Sequence, residues 1–219
     1  MHVTTDGNVR VDKTADPSMG TNSYLVQDLR TDDAAVIDAN LDPEATLALV
    51  AERAVRVRAI LLTHTDFDHV AGLRRLRQAW GEPAVAVAEP ELDLLRGGRP
   101  LRTEMAHAVA PEADAEPLVA HGSYRAGSLR FDVLPTPGHS PGGVTLVTGR
   151  LLFTGDALFQ GSIGRFDFAN SDGQALLLGI RAELLRRDDE DVVLPGHGPA
   201  STIGEERRRN PFLQVGFVP

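Results

Sequence analysis

Short apolar runs bounded by glycine, proline and acidic residues alternate along this chain with stretches of helical spacing. Residues 21–26 and 34–38 read as neighbouring strands, and 59–63 as a buried one. Residues 84–88, 131–134, 144–147, 151–154 and 192–194 continue the series of strands. Between them, Asp42 is a natural N-cap with Pro43 at the first helical position, so a helix is expected over 43–53. Apolar side chains at 70, 73, 76 and 80 predict a helix over 70–80 with its arginines facing water. Leucines at 176, 177, 178, 184 and 185 predict another over 175–187. Residues 96–128 break the rhythm with Gly97-Gly98, Pro100, Pro111 and Pro117, and read as a long surface segment or lid. Many strands with peripheral helices suit an α/β fold of two sheets packed face to face, in a single domain over 1–219.

Composition removes several classes of function. A formal net charge of −9 argues against a nucleic-acid partner, because phosphate binding needs basic surface. The local run Arg207-Arg208-Arg209 reads as a solvated helix end that complements the helix dipole. Cysteine is absent, which excludes disulfides and thiolate chemistry. Residues 1–20 are polar and lack a signal-like apolar core, and no stretch approaches the ~18 apolar residues of a membrane span. The expectation is a cytoplasmic protein without a membrane partner; the oligomeric state is not legible.

The candidate chemistry is concentrated in Thr63-His64-Thr65-Asp66-Phe67-Asp68-His69, directly after the apolar Ala59-Ile60-Leu61-Leu62. Imidazoles and carboxylates buried at a strand end cost several kcal/mol of desolvation, about what an unpaired polar group costs, unless a cation takes them as ligands. Three more ligand-type residues follow strand-like runs inside glycine- and proline-rich turns. They are His139 in Pro137-Gly138-His139-Ser140-Pro141, Asp156 in Gly155-Asp156 and His197 in Pro195-Gly196-His197-Gly198-Pro199. Glycine and proline let the backbone turn sharply and project one side chain into a cleft. His2, His107 and His121 read as surface residues, and Asp38 as a turn-forming carboxylate or one that supports a ligand.

These residues resemble the metallo-β-lactamase superfamily, whose signature is H-x-H-x-D-H followed by a separate His, Asp and His. Within it, Gly155-Asp156-Ala157-Leu158-Phe159-Gln160-Gly161-Ser162-Ile163-Gly164-Arg165, Pro195-Gly196-His197-Gly198-Pro199 and the closing Asn210-Pro211-Phe212-Leu213 resemble the glyoxalase II-like branch. The resemblance implies an αββα sandwich of two mixed sheets, with one or two divalent metals at the sheet edge, zinc in the first place and iron or manganese as the alternatives. It implies His64, residue 66 and His139 at site one, Asp68, His69 and His197 at site two, and Asp156 between them. It also implies hydrolysis of a small acyl thioester, or a related ester or lactone, by a metal-activated hydroxide, with Asp68 relaying a proton. Arg165 is a candidate for holding an anionic substrate group. Only 22 residues follow His197, so the C-terminal helical region of full-length glyoxalase II is expected to be missing.

One position departs from the pattern, since Asp66 stands where the family usually has histidine. A hard, anionic oxygen donor shifts preference from zinc towards iron or manganese and makes site one more negative. Two other readings stay open at this point: an iron-dependent oxidoreductase resembling persulfide dioxygenases, which share a Gly-Arg-x-Asp-Phe stretch with Gly164–Phe168, and a catalytically impaired scaffold.

Overall fold

The structure, a computed structural model of the chain, describes residues 1–103, 108–214, 216, 217 and 219. Its first sheet joins β1 (His2–Asp6), β2 (Val9–Ala15), β3 (Asn22–Asp28), β4 (Asp33–Ile37), β5 (Arg56–Leu61), β6 (Ala84–Ala88) and β7 (Glu116–Leu118) in sequence order. The second begins with β8 (Ser123–Ala126), β9 (Leu129–Pro135), β10 (Val144–Thr148) and β11 (Leu151–Gly155). A small hairpin, β12 (Leu158–Phe159) and β13 (Ser162–Ile163), follows; β14 (Val192–Pro195) and β15 (Ser201–Thr202) then complete the second sheet beside β11. Both sheets are mixed: β4, β5, β6 and β7 run parallel, as do β11 and β14, while the remaining pairs are antiparallel.

Strand alternation explains the layers. Tyr24, Val26, Ala35, Ile37, Ala59 and Leu61 point to the core shared with Phe131, Val133, Leu146 and Phe153 of the second sheet. Their neighbours Leu25, Ala34, Val36 and Ile60 point the other way, onto helices α1 (Pro43–Arg53), α3 (Leu73–Ala79) and α4 (Glu89–Arg96). Leu152 and Val193 do the same on the far side, under α5 (Gly173–Gly179) and its π-helical continuation Ile180–Leu184. Covering both faces is why these strands read as continuous apolar runs. The αββα sandwich expected from the resemblance is the observed architecture.

Several local expectations are corrected. The helix expected over 70–80 is broken into α2 (Phe67–Val70) and α3, with Gly72 at the break. There the chain passes so close to the turn after β4 that Gly72 N–H donates to Ala39 O, and a Cβ would meet the Asn40 carbonyl. Arg77 does not face water: it is buried and pairs with Glu112 and Asp114. Residues 96–128 are not one surface segment, because β7, β8 and the buried Leu101, Arg102, Glu112 and Ala115 lie within them. The β1–β2 hairpin and α4 were not legible. Arg207-Arg208-Arg209 does close a helix, α6 (Ile203–Arg209), where Arg207 donates to the carbonyls of Leu185 and Arg187. Among the described residues no helix is long and apolar enough to cross a membrane.

Candidate metal centre

Each ligand-type residue lies just beyond a strand end at one edge of the sandwich. His64 to His69 follow β5, His139 follows β9, Asp156 follows β11 and His197 follows β14. Backbone hydrogen bonds lock these turns together. Val144 N donates to Thr63 O (3.0 Å), Gly196 N to Gly155 O (2.8 Å) and Asn22 N to Gly196 O (2.7 Å). Gly196 is required by proximity, since a Cβ there would lie 2.7 Å from His69 Cε1 and closer still to Asp156 Oδ1.

Two clusters of donor atoms result, His64–His139–Asp156 and Asp68–His69–His197, with the atoms of each within 4.8 Å of one another. Asp156 stands between them: Oδ1 lies 3.3 Å from His69 Nε2, and Oδ2 lies 3.4 Å from His197 Nε2 and 3.7 Å from His139 Nε2. Asp68 Oδ2 accepts from the Thr21 hydroxyl (2.6 Å) and lies 3.2 Å from His197 Nε2.

The other ring nitrogens are held from behind. His69 Nδ1 donates to Asp38 Oδ2 (2.9 Å), and His139 Nδ1 donates to the Arg165 carbonyl (2.8 Å). His64 Nδ1 meets Thr63 Oγ1 (3.0 Å), whose own proton goes to Asp38 Oδ2 (2.8 Å). A ring that donates from Nδ1 presents the Nε2 lone pair forward, the arrangement that metal-ligating histidines use. His64 Nε2, His69 Nε2 and Asp156 Oδ1 are buried without a hydrogen-bond partner among the described residues. Orphaned donors and acceptors of this kind are costly unless something takes them, and a divalent ion fits this nitrogen and oxygen set.

The electrostatics agree. Burial resists ionisation of Asp156, yet the facing His69 and His197 hold its carboxyl well below the usual range. Burial likewise resists protonation of His197, but hydrogen bonds to Asp156 and Asp68 push it up to about 10. The carboxylates draw a cation to this spot; a proton answers that field, and a divalent metal answers it more completely.

Asp66 is brought to the site with its Oδ2 2.9 Å from His139 Nε2 and 3.5 Å from His64 Nε2. Both its oxygens are also gripped by Arg102, Nε to Oδ1 at 2.7 Å and Nη2 to Oδ2 at 2.8 Å. The more negative site one expected from the sequence is therefore corrected: a buried guanidinium offsets the extra charge. Arg165 lines the cleft, but its side chain pairs with the exposed Asp167 and lies over Phe168. His2 and His121 lie apart from the site, against Asp12 and Glu183. His107 lies outside the described residues.

Sequence reasoning missed Arg102, Thr21 and Glu91. Glu91 is fully buried, accepting from Thr65 N (2.6 Å), Thr65 Oγ1 (2.7 Å) and Gly142 N (2.8 Å), so one carboxylate ties together the two turns that carry His64 and His139. A proline-led helix start gives no hint of that role. The cleft over the site has a volume of about 420 Å³ and apolar walls from Met19, Phe67, Phe159, Ile163 and Phe168.

A family profile described as the metallo-β-lactamase superfamily matches residues 17–197. A probable metallo-hydrolase of Streptococcus pyogenes is 35% identical over 214 residues, covering 94% of this chain and 90% of the relative. The hydroxyacylglutathione hydrolase GloC of Haemophilus influenzae is 34% identical over 188 residues, covering 82% and 87%. The crystal structure of the BLEG-1 B3 metallo-β-lactamase superposes with a TM-score of 0.84 at 31% identity, covering 93% of this chain and 99% of that one. A profile match across most of the chain, on turns that bring the histidines and aspartates to one sheet edge, means that this chain belongs to the metallo-β-lactamase superfamily.

Proposed function

We propose that this metallohydrolase cleaves an acyl thioester of the kind handled by the glyoxalase II-like branch. The proposed ligands are His64, Asp66 and His139 at one position, Asp68, His69 and His197 at the other, and Asp156 between them. The observation behind the reading is the convergence of forward-facing Nε2 atoms, three of the buried donor atoms being unpartnered, beneath a mostly apolar cleft. The likeness to a hydroxyacylglutathione hydrolase supports the choice of thioester.

When bound, a divalent ion supplies a Lewis acid and brings the pKa of its water to about 7. The chain's own residues do the rest. Asp38 and Thr63 fix the tautomers of His69 and His64. Asp68 stays ionised although burial opposes it, because His69, His197 and Thr21 pull its carboxyl down. That makes it a weak base, so it orients an attacking water by accepting its hydrogen bond and holds that proton only in passing, on the way to the leaving group. Thr21 and His197 hold one of its oxygens in place. A thiolate, with a parent pKa of about 8.5, leaves without much help from that proton, whereas an alkoxide needs it. Met19, Phe67, Phe159 and Phe168 exclude water around an acyl chain, and Arg165 stands at the wall as a contact for an anionic group.

The test is thiol release from a panel of acyl thioesters, including an S-hydroxyacyl glutathione, by protein loaded with zinc, iron or manganese. Turnover that is abolished in Asp156→Ala is expected. Oxygen uptake with glutathione persulfide and no thiol release would overturn the reading in favour of oxidoreductase chemistry; hydrolysis of β-lactams alone would overturn the thioester assignment.

A further inference from the structure

Arg102 is not a rim cation waiting for substrate. It is 3% exposed, and all five of its N–H groups have partners. Nε and Nη2 take the two oxygens of Asp66, and Nη2 also donates to the His139 carbonyl at 2.9 Å. Nη1 donates to Asn170 Oδ1 and to Ser171 Oγ at 3.3 Å. The partners are themselves anchored, Asn170 to the Leu101 carbonyl (3.1 Å) and Ser171 to the His139 carbonyl (2.6 Å). The guanidinium carbon lies 4.2 Å from the centre of the Phe168 ring. This is a rigid, fully satisfied positive charge built into one half of the site.

Its placement makes the two halves different. Nη2 is 2.8 Å from the Asp66 oxygen that faces His139 and His64, and 3.4 Å from His139 Nε2 itself. An ion held by His64, Asp66 and His139 would therefore sit beside a fixed like charge, in a buried setting where screening by solvent is weak. It would also share its carboxylate ligand with a bidentate competitor. The corresponding carboxylate on the other side, Asp68, is held by the neutral Thr21 hydroxyl.

We propose that Arg102 sets the order of metal binding. The ion at Asp68–His69–His197 is held first and tightly, and the ion at His64–Asp66–His139 second and more weakly, because Arg102 competes for Asp66. Asp66 and Arg102 then act as one unit, equivalent in charge to the neutral histidine usual at that position. An aspartate without the arginine, or a histidine with it, leaves the position unbalanced. The inference rests on the proposed metal site.

Zinc titration by calorimetry, with metal content after dialysis, tests it. Wild type is expected to show two unequal steps, with His139→Ala losing the weaker step and keeping the tighter one. Arg102→Met frees Asp66 and is expected to tighten the weaker step about tenfold or more, the scale on which residues behind metal ligands act. Asp66→His, although it installs the usual ligand, is expected to weaken that step below wild type, and the Asp66→His/Arg102→Met pair to restore it. An unchanged or weaker second step in Arg102→Met, with the first intact, overturns the proposal. So does a second step strengthened by Asp66→His alone, a result that does not depend on Arg102→Met folding. Failure of wild type to bind zinc, iron or manganese at all would instead remove the metal site itself, and the inference with it.

Discussion

Asp38 offers the sharpest test of how the fold prepares this site, because one carboxylate serves both clusters. Its Oδ1 accepts from Thr63 N (2.8 Å), and its Oδ2 accepts from Thr63 Oγ1 (2.8 Å) and His69 Nδ1 (2.9 Å). Asp38→Asn is the informative change. The residue has φ of 59°, a conformation in which asparagine is among the few tolerated side chains, so the turn survives. The amide keeps one acceptor for Thr63 N, but its NH₂ then faces two donors. The Thr63 hydroxyl can rotate; the imidazole of His69 must move its proton to Nε2, the atom needed for a metal. Losing a charge-assisted hydrogen bond costs roughly 1.5–3 kcal/mol, which matches the ~10–100-fold loss of metal affinity typical when such a support is removed. Metal-induced stabilisation falls with it, by about 1.4–2.7 kcal/mol at saturating metal. For a chain of this size that is a thermal shift smaller by roughly 3–10 °C. Competition with a chromogenic chelator and melting curves with and without zinc measure both. If affinity stays within about twofold of wild type in a folded Asp38→Asn protein, Asp38 does not set the tautomer and the argument fails.

Other consequences follow from particular contacts. Glu91→Gln leaves a single acceptor for three donors, so urea unfolding should report a loss of about 1.5–3 kcal/mol together with lower metal content; unchanged stability would deny Glu91 its clamp. Gly196→Ala forces a Cβ into Asp156 and His69, and elemental analysis should find little metal in a protein whose circular dichroism is native-like. Burial opposes ionisation of Asp12, but Arg10 and Arg53 outweigh it and hold the carboxyl below its ordinary value. A depressed folded pKa gives stability that is present above the unfolded value of about 3.9 and lost as pH falls through the folded one. The gap in urea stability between wild type and Asp12→Asn should therefore be largest at neutral pH and shrink below about pH 4; a gap independent of pH would contradict the pairing.

The central strands, and the turns that carry the candidate ligands, were legible because both are written in local pattern. Alternating or continuous apolar runs announce a strand with one or both faces covered; His64, Asp68 and His69 stand in a dense His/Asp run directly after one such strand, and His139, Asp156 and His197 in glycine- or proline-marked turns after others. Helix α1 was legible for the same reason, through Asp42 and Pro43, and the Asp42 side chain does accept from Ala45 N. The short strands β7 and β8 were not, since their polar residues gain order only by pairing with a neighbour. Nor was the break at Gly72, which depends on where the β4 turn passes. The charge at position 66 shows the division most clearly. A carboxylate could be read from the chain, but its neutralisation by Arg102, 36 residues away, arises only when the fold brings the two together. Local sequence encodes which side chains face inward; which buried charge meets which partner is decided by tertiary approach, because Coulomb energy depends on distance in space and not along the chain.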